Sequence, residues 1–387
     1  MFDFDQTLDR NGSNCVKWDM MKQKYGWDIF PFGIADMDYA PLPALQEALI
    51  RRCSGTFGYT FPGKTYYESV IRWFGRRHGL SLVKEDIIDC FGVLSGIAAC
   101  ISAKTKPGDR ILVNTPVYHH FFSTISGLGR EIEFSPLLCE SGLYYFDFAD
   151  MEKRMQKGVA AFLLCNPHNP VGRVWSKDEL ARVAAMCEKY GVFLISDEIH
   201  CDIVFPPHTH TPIFNAYPNA KDFAVLATSP SKTFNIAGLR QAMLFFLDHE
   251  LKDEVERVLD SYHNDGNLFG WLATETVYDK GEQWLEELLA YLLANVSFVQ
   301  QMLPKALPRA RMIVPEATYL VWLDLSEYGL SDEEIRHRVL DRARIVANWG
   351  CVCGKGGEGH IRLNIGTSRA KLEQGLGAIA DAFSDLN

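Results

Sequence analysis

The sequence predicts an α/β fold with a mostly parallel sheet covered by helices on both faces, followed by a smaller α+β domain. In the middle of the chain, short apolar runs typical of buried strands alternate with a helical pattern such as residues 178–190. Strands separated by helices imply parallel pairing. Towards the C-terminus the pattern changes to a long helix and short strands. We therefore predict a large domain over residues 45–285 and a small domain from residues 1–44 and 286–387.

The individual elements follow in chain order from these patterns. The predicted strands of the large sheet are the apolar runs 111–113, 159–164, 192–195, 223–227 and 243–247. The helix over 178–190 ends at Gly191, because glycine readily adopts the conformation that follows a helix. In the small domain we expect a helix from Glu282 to about Met302, strands near 319–324 and 360–364, and a final helix from about Ser368.

The composition excludes several classes of protein. The chain has 387 residues, of which 47% are hydrophobic and 23% are charged, as is typical of soluble globular proteins. Its net charge of −10 argues against a nucleic-acid-binding surface. No basic and apolar secretory signal opens the sequence, and no apolar run approaches the roughly 18 residues of a membrane span. The ten cysteines are scattered without zinc-site spacing, so we expect a reduced, cytoplasmic protein without a metal.

Lys232 is the most informative residue for function. It follows the predicted strand 223–227 within a stretch of small, hydroxyl-bearing residues and glycine. Burial at the end of a strand disfavours the ammonium form of a lysine, which makes its amine available as a nucleophile or a base. The same position also suits a structural ion pair, so the lysine alone does not decide the function.

Three other clusters are expected at the edge of the predicted sheet where ligands gather. Residues 92–97 form a glycine-bearing turn before the helical run 98–101, where free backbone amides can bind phosphate. Asn169 lies in a loop with two proline steps that hold its amide rigidly. Asp197 follows the strand 192–195, where a carboxylate needs a positive or hydrogen-bonding partner. Each cluster also has an ordinary structural explanation. Residues 92–97 could be a common glycine turn, Asn169 could belong to a simple proline-rich loop, and Asp197 could cap a helix.

The four clusters together predict a cofactor. They supply a phosphate-binding turn, a buried acid, an amide donor and an amine nucleophile, with Ser229 and Arg240 beside the lysine. A serine, an arginine and a helix N-terminus suit a dianionic phosphate. This combination fits pyridoxal 5′-phosphate, whose aldehyde reacts with a lysine and whose ring nitrogen pairs with an acid.

Two sets of motifs carry a resemblance to a known family. The first set is Tyr118, Asn169-Pro-Val-Gly172, Asp197, Ser229-Pro-Ser-Lys232 and Arg240. In order and spacing it resembles the class I/II aminotransferase-like, fold-type-I enzymes that use pyridoxal phosphate. The second set spans nearly the whole chain and is similar to the MalY/PatB-type cystathionine β-lyase (carbon–sulfur lyase) branch: residues 33–38, 58–60, 77–79, 196–200, 231–239 and 362–366.

The resemblance implies a cofactor role for each matching residue. Lys232 would bind the cofactor covalently and later abstract the Cα proton of the substrate, and Asp197 would pair with the ring nitrogen. Asn169 would hydrogen-bond the phenolic oxygen, and Tyr118 would stack on the ring. The family's phosphate-binding positions match Gly96, Ile97, Ser229 and Arg240, together with Tyr59 from a neighbouring subunit, which implies a homodimer.

The resemblance also implies substrate contacts. Arg362 would clamp the substrate carboxylate with its planar guanidinium, while Ala35 and Tyr118 would lie beside the substrate. His200 stands where ordinary aminotransferases commonly carry a tyrosine, three residues after Asp197. It is assigned to the cofactor site, and an ordinary core histidine remains the alternative.

The implied reaction is α,β-elimination from L-cystathionine or a related cysteine conjugate. Lys232 removes the Cα proton, a thiolate leaves from Cβ, and the remaining aminoacrylate hydrolyses to pyruvate and ammonia. An aminotransferase shares the cofactor residues and is the alternative reaction. The signatures Ala35-Asp-Met-Asp38 and Gly58-Tyr-Thr60 favour the lyase.

Two other classes match less well. Ser229-Pro-Ser-Lys232 fits the first motif of penicillin-binding hydrolases and Tyr262-His-Asn264 fits the second, but Lys355-Gly-Gly357 lacks the hydroxyl of the third. A metal site that includes His208 and His210 lacks an established ligand spacing. We therefore expect these two to be solvated loop histidines.

Overall fold

The computed structural model describes residues 2–6, 8–26 and 28–386, so Met1 and Asn387, the outermost residues of the expected small domain, lie outside the described residues. The α-helices are α1 Met21–Tyr25, α2 Pro43–Cys53, α3 Lys64–His78, α4 Val93–Lys104, α5 His120–Gly127, α6 Phe148–Gln156, α7 Lys177–Tyr190, α8 Ile213–Ala216, α9 Pro230–Thr233, α10 His249–Ser261, α11 Leu268–Lys280, α12 Glu282–Ala306, α13 Asp332–Arg336 and α14 Arg369–Phe383. The strands are β1 Phe30–Pro31, β2 Ile87–Cys90, β3 Arg110–Val113, β4 Glu131–Phe134, β5 Leu138–Glu140, β6 Leu143–Tyr145, β7 Ala161–Cys165, β8 Phe193–Asp197, β9 Ala224–Thr228, β10 Ala242–Phe245, β11 Arg311–Ile313, β12 Leu320–Asp324, β13 Ile345–Val346, β14 Asn348–Trp349 and β15 His360–Asn364.

Seven strands form the large sheet, in the order β2-β10-β9-β8-β7-β3-β4. Neighbours from β9 to β4 pair in parallel, whereas β10 pairs antiparallel with β9 and with β2. All five strands expected from the apolar runs are present, and the prediction of a mostly parallel sheet is confirmed. The sequence does not predict the edge strands β2 and β4, because each is only four residues long and carries acidic side chains.

Helices cover both faces of this sheet, as predicted. Side chains along a strand point to alternate faces. Leu164 and Leu194 therefore pack into one hydrophobic cluster with residues of α3, α7 and α11. Their neighbours Leu163 and Ile195 pack into a second cluster with residues of α4, α5 and α10.

Helix α7 shows how local sequence sets the bounds of an element. Ser176 accepts a hydrogen bond from the Glu179 amide, and the Glu179 carboxylate accepts one from the Ser176 amide, which forms a capping box. The helix ends at Gly191 in the left-handed conformation, with φ = 64°. The predicted helix over 178–190 is confirmed. Helix α12 starts at the predicted residue and continues one turn beyond Met302.

The C-terminal part of the chain contains a four-stranded antiparallel sheet, in the order β11-β12-β15-β14. Helices α12 and α14 pack against each other beside it. Strand β1 pairs in parallel with β13, so the beginning of the chain contacts this C-terminal part. Within residues 2–6, 8–26 and 28–386, no helix has both the length and the apolar character needed to cross a membrane.

Candidate active site

A cavity of about 470 Å³ opens at the carboxyl ends of β7, β8 and β9. Parallel strands end at the same edge of a sheet, so residues distant in sequence meet there. Nine of the residues singled out from the sequence line this cavity: Ala35, Tyr118, Asn169, Asp197, His200, Ser229, Lys232, Arg240 and Arg362. Gly96, Ile97 and Tyr59 are not among its lining residues.

Lys232 lies in the single-turn helix α9, four residues after the end of β9. The side chain is half-buried, and its Nζ donates a hydrogen bond to the Ala35 carbonyl at 2.7 Å. Burial, together with the positive charge of Arg362, lowers the pKa of Lys232 to about 8. This amine therefore loses its proton more readily than that of a solvent-exposed lysine, as a nucleophile or base requires.

Asp197 is the last residue of β8, and its carboxylate is buried in the cavity wall. Its Oδ1 accepts a hydrogen bond from the Ile199 amide at 3.2 Å. Burial raises the pKa of Asp197 to about 7, although this hydrogen bond and the charge of Lys232 act in the opposite direction. A cationic group bound in the cavity would stabilise the ionised carboxylate.

Asn169 and Arg362 are buried and contact each other directly. Nη1 of Arg362 donates to Oδ1 of Asn169 at 2.9 Å, and Nη2 donates to the Gly33 carbonyl at 2.8 Å. Because a guanidinium only donates, the amide oxygen of Asn169 faces it and the amide NH₂ is left to donate elsewhere. Nε of Arg362 is buried and has no partner among the described residues. Both groups therefore keep unused donors at the cavity.

The aromatic residues of the wall are uncharged near neutral pH. Burial raises the pKa of Tyr118 to about 12, and it lowers the pKa of His200 to about 3 and that of His119 to about 4. Within the described part of the chain, Nδ1 of His200 is buried without a hydrogen-bond partner. The imidazole of His200 thus belongs to the cavity, but nothing fixes its orientation through Nδ1 in this structure.

The prediction that Gly96 and Ile97 bind phosphate does not fit the structure. Helix α4 begins at Val93, about five residues earlier than expected, so both residues lie inside the helix. The Gly96 amide already donates to the Gly92 carbonyl at 3.0 Å, and Ile97 is fully buried in the core. The first-turn amides of a helix lack such partners, and those of residues 93–95 border the cavity. The helix amides that border the cavity therefore lie about one turn earlier in the sequence than expected.

Ser229 and Arg240 also line the cavity. The Ser229 hydroxyl caps α9 by accepting from the Ser231 amide at 3.1 Å, and it donates to the Gln241 carbonyl at 2.6 Å. Arg240 is exposed and has φ = 51°, a left-handed conformation that is uncommon for a residue with a side chain. Such strain is concentrated at functional sites, and here it falls on a cationic residue that lines the cavity.

The expected loop histidines behave differently from each other. His208 is exposed, as predicted. The prediction is wrong for His210, which is buried and places Nε2 2.7 Å from Oε2 of Glu198. Glu198 is buried as well and also accepts hydrogen bonds from Ser196 and from the Ile213 amide. The pair is thus a structural contact behind Asp197.

The sequence of the chain matches a known protein family. The model of the family of class I and II aminotransferases matches residues 28–379. The chain belongs to this family. The cystathionine beta-lyase PatB of Bacillus subtilis is 39% identical over 385 residues, which cover 98% of this chain and 100% of PatB.

Solved structures agree with this placement. Cystalysin from Treponema denticola, which contains a pyridoxal 5′-phosphate cofactor, matches with a TM-score of 0.96 at 31% identity, over 100% of both chains. The PLP-bound C-S lyase from Staphylococcus hominis matches with a TM-score of 0.92 at 31% identity, over 99% of this chain and 98% of the lyase. The predictions of family and fold class are confirmed.

In this family member, the segment 33–37 contributes to the site mainly through its backbone. Sequence reasoning singles out Ala35 but misses that the carbonyl oxygens of the segment bind donors from distant elements. Ala35 accepts from Lys232 and from the Tyr319 hydroxyl at 3.0 Å, and Gly33 accepts from Arg362. No side-chain pattern encodes these contacts. Other lining residues that lie in none of the sequence motifs include Phe91, Cys165, Gln241 and Asn348, whereas Ser231 lies inside the lysine motif.

Proposed function

We propose that this protein is a pyridoxal-phosphate-dependent carbon–sulfur β-lyase. It cleaves L-cystathionine or related cysteine conjugates by α,β-elimination to a thiol, pyruvate and ammonia. The observation that carries this proposal is one cavity in which Lys232, with a pKa of about 8, lies with the buried Asp197 and Arg362. The chain that builds this cavity is 39% identical, along nearly its whole length, to a cystathionine β-lyase.

The donor set of the cavity fits pyridoxal 5′-phosphate, the cofactor of this enzyme. When bound, the cofactor supplies a cationic, conjugated ring that takes up the electron pair left at the substrate's Cα. Asp197 forms no ion pair within 4.0 Å among the described residues, and it is assigned to the ring nitrogen. The free NH₂ of Asn169 is assigned to the phenolic oxygen. The phosphate is assigned to the amides of residues 93–95, to Arg240 and to Ser229, whose hydroxyl would exchange its hydrogen bond to the Gln241 carbonyl for one to the phosphate.

Lys232 is assigned two tasks. It holds the cofactor covalently, and once the substrate amine has displaced it, its free amine removes the Cα proton. The lowered pKa supports both, because a neutral amine is needed to attack the cofactor and to accept a proton. The ammonium formed by proton uptake is stabilised by the Ala35 carbonyl, which already accepts from Nζ.

Arg362 is assigned to the α-carboxylate of the substrate. Asn169 and Gly33 occupy one N–H of each terminal nitrogen, which fixes the guanidinium plane and leaves further N–H groups to donate. A fixed planar donor pair suits a carboxylate, and burial strengthens the attraction. The neutral His200 is assigned to the cofactor pocket, while Tyr118 is assigned to the ring face and, with Ala35, to the substrate.

A homodimer is part of the proposal. Phe57, Tyr59 and Phe61 expose 63%, 110% and 84% of their surface, three large aromatic side chains within five residues. Apolar surface of this kind marks an interaction site. Because Tyr59 lies outside the cavity of its own chain, it is available to reach the phosphate in the cavity of a second copy.

The division into a large domain over 45–285 and a small domain from 1–44 and 286–387 belongs to the same proposal. It is supported by the seven-stranded sheet lying between residues 87 and 245 and the four-stranded sheet between 311 and 364. A cytoplasmic location is also proposed, and all ten cysteines being free supports it.

Purified holoenzyme supplied with L-cystathionine tests the proposal. We expect pyruvate and homocysteine to appear in equal amounts, because the elimination releases one thiol for each carbon skeleton. The thiol and pyruvate are assayed separately, with a parallel incubation that contains an amino acid and a keto acid. Amination of the keto acid without pyruvate release from any cysteine conjugate would assign the protein as an aminotransferase instead.

A further inference from the structure

Asp202 is a buried carboxylate that lies outside the cavity, behind the turn that carries Lys232. Its Oδ1 accepts a hydrogen bond from Nε1 of Trp73 at 3.1 Å and lies 2.8 Å from Nε2 of His78. Its Oδ2 accepts from the Thr233 hydroxyl at 2.9 Å. Both oxygens are therefore bound by neighbouring side chains.

The carboxylate is held in its charged form. Burial favours the neutral acid, but the hydrogen bond and charge of His78 and the charge of Arg77 outweigh it and keep the pKa of Asp202 below its usual value. Nε of Arg77 is 3.6 Å from Oδ1. Trp73, Arg77 and His78 all belong to helix α3, whereas Thr233 belongs to α9. Asp202 thus joins the lysine-bearing turn to a fifteen-residue helix.

The same carboxylate is part of a cluster with metal-ligand chemistry. Ligand atoms of His78, Cys201 and Asp202 lie within 4.8 Å of one another. His78 and Asp202 are brought together by their own contact, Cys201 precedes Asp202 in the chain, and His78, Trp73 and Thr233 occupy both carboxylate oxygens. A role towards Lys232 therefore fits the contacts better than a metal site does.

The turn that carries Lys232 depends on contacts from outside itself. Helix α9 has only four residues, and so short a helix has little stability of its own. Ser229 anchors its first turn by side-chain hydrogen bonds. At its other end, Thr233 is fully buried and bonds through its hydroxyl to Asp202. Lys232 lies between these two anchors.

We propose that Asp202 is a positioning residue for Lys232. Acting through the hydroxyl of Thr233, it fixes the end of α9 so that the amine points to the Ala35 carbonyl and the centre of the cavity. The inference rests on the proposed function, because it assigns Asp202 to the orientation of the lysine that captures the cofactor and moves the Cα proton.

Thr233→Val tests this inference, because valine keeps the shape of threonine and removes only the hydroxyl. Thr233→Ser restores the hydroxyl. The matched control is Thr274→Val, at a second fully buried threonine whose hydroxyl donates to a backbone carbonyl, that of Gly270 at 2.9 Å, and which does not line the cavity. Four quantities are measured for each variant: the rate of pyridoxal phosphate capture by the apoenzyme, the pH midpoint of its visible absorption, kcat and KM for pyruvate release, and the urea midpoint.

We expect Thr233→Val to slow capture and lower kcat by roughly 10–100-fold, the size of effect that a small displacement of a reacting group produces. The pH midpoint of the absorption moves as well, while KM stays within about twofold, since substrate-binding groups are untouched. Thr233→Ser should recover most of the capture rate. Thr274→Val should lower only the urea midpoint.

A Thr233→Val enzyme with the capture rate, pH midpoint and kcat of the wild type would overturn the inference, as would equal losses in Thr274→Val. Asp202→Asn, which keeps the size of the side chain and removes its charge, is the second variant if Thr233→Val does not fold. It should slow pyridoxal phosphate capture in the same way, and an unchanged capture rate would overturn the inference. Failure of the proposed function looks different, because the wild type itself would then neither capture the cofactor covalently nor release pyruvate.

Discussion

Lys232 and Arg362 are two cations in one cavity, and their mutual repulsion shapes the chemistry. Burial and the charge of Arg362 lower the pKa of Lys232, while Asp36 and Asp197 act against the shift. Arg362 is itself buried, yet an arginine remains charged because its pKa starts far higher. The lysine therefore yields its proton first. The residue that must react is the one whose charge the site destabilises.

Arg362→Lys separates charge from geometry at the residue that is proposed to bind the substrate carboxylate. Lysine keeps the positive charge but loses the planar donor pair and the contacts to Asn169 and Gly33. We expect kcat/KM for cysteine conjugates to fall by about 10–100-fold, equivalent to the 1.5–3 kcal/mol of hydrogen bonds to a charged group. Most of the loss should be in KM. Steady-state pyruvate release measures it, with the exposed Arg311→Lys as control; a variant with wild-type KM would contradict this role for Arg362.

At the scale of elements, the N-terminal segment holds the backbone of residues 33–38 against the cavity. Lys17, Arg10 and Trp18 all bind Asp38, and the Lys17–Asp38 pair, at 3.0 Å, is almost completely buried. Nζ of Lys17 also donates to the Asp36 carbonyl at 3.0 Å. A buried pair of this kind fixes one arrangement of the chain more than it adds net stability. These contacts thus help to fix the backbone whose Ala35 and Gly33 carbonyls accept hydrogen bonds from Lys232 and Arg362.

Lys17→Met leaves Asp38 buried with fewer donors. We expect the free energy of unfolding to fall by about 3 kcal/mol, the lower end for removing one member of a buried pair, because Arg10 and Trp18 still contact Asp38. Urea unfolding of the apoenzyme measures the change. Lys24→Met in the same segment is exposed and should change the stability by less than about 0.5 kcal/mol. Equal midpoints for the two variants would contradict a supporting role for the pair.

The sequence patterns predicted which helices and strands are present more accurately than they predicted the residue at which each one begins. The five apolar runs and helix α7 could be predicted because burial on both faces and capping leave direct marks in the sequence. The first residue of α4 could not be predicted, because either Gly92 or Gly96 could form the turn before the helix. The structure shows that Gly92 precedes the helix and that Gly96 lies inside it. The expected phosphate contacts of Gly96 and Ile97 came from the resemblance to the family, and residues 93–95 border the cavity in their place.

At the scale of the whole molecule, the cavity is formed by residues that only the fold brings together. The carboxyl ends of β7, β8 and β9 were predictable, so Asn169, Asp197 and Lys232 could be assigned to one edge of the sheet. The contact between Asn169 and Arg362 joins residues 193 positions apart. It depends on the packing of the two sheets, which no local pattern encodes. Arg362 was predicted to be a site residue only through the resemblance to a known family.

We propose above all that Lys232 is the residue that binds the cofactor covalently and starts the elimination. Borohydride reduction of the holoenzyme, followed by digestion and mass spectrometry, tests it most directly, with Lys232→Ala treated in parallel. We expect one phosphopyridoxyl group, on the peptide that contains Lys232, and neither that label nor pyruvate release in the variant. A label on a different lysine, or substantial pyruvate release by Lys232→Ala, would contradict it.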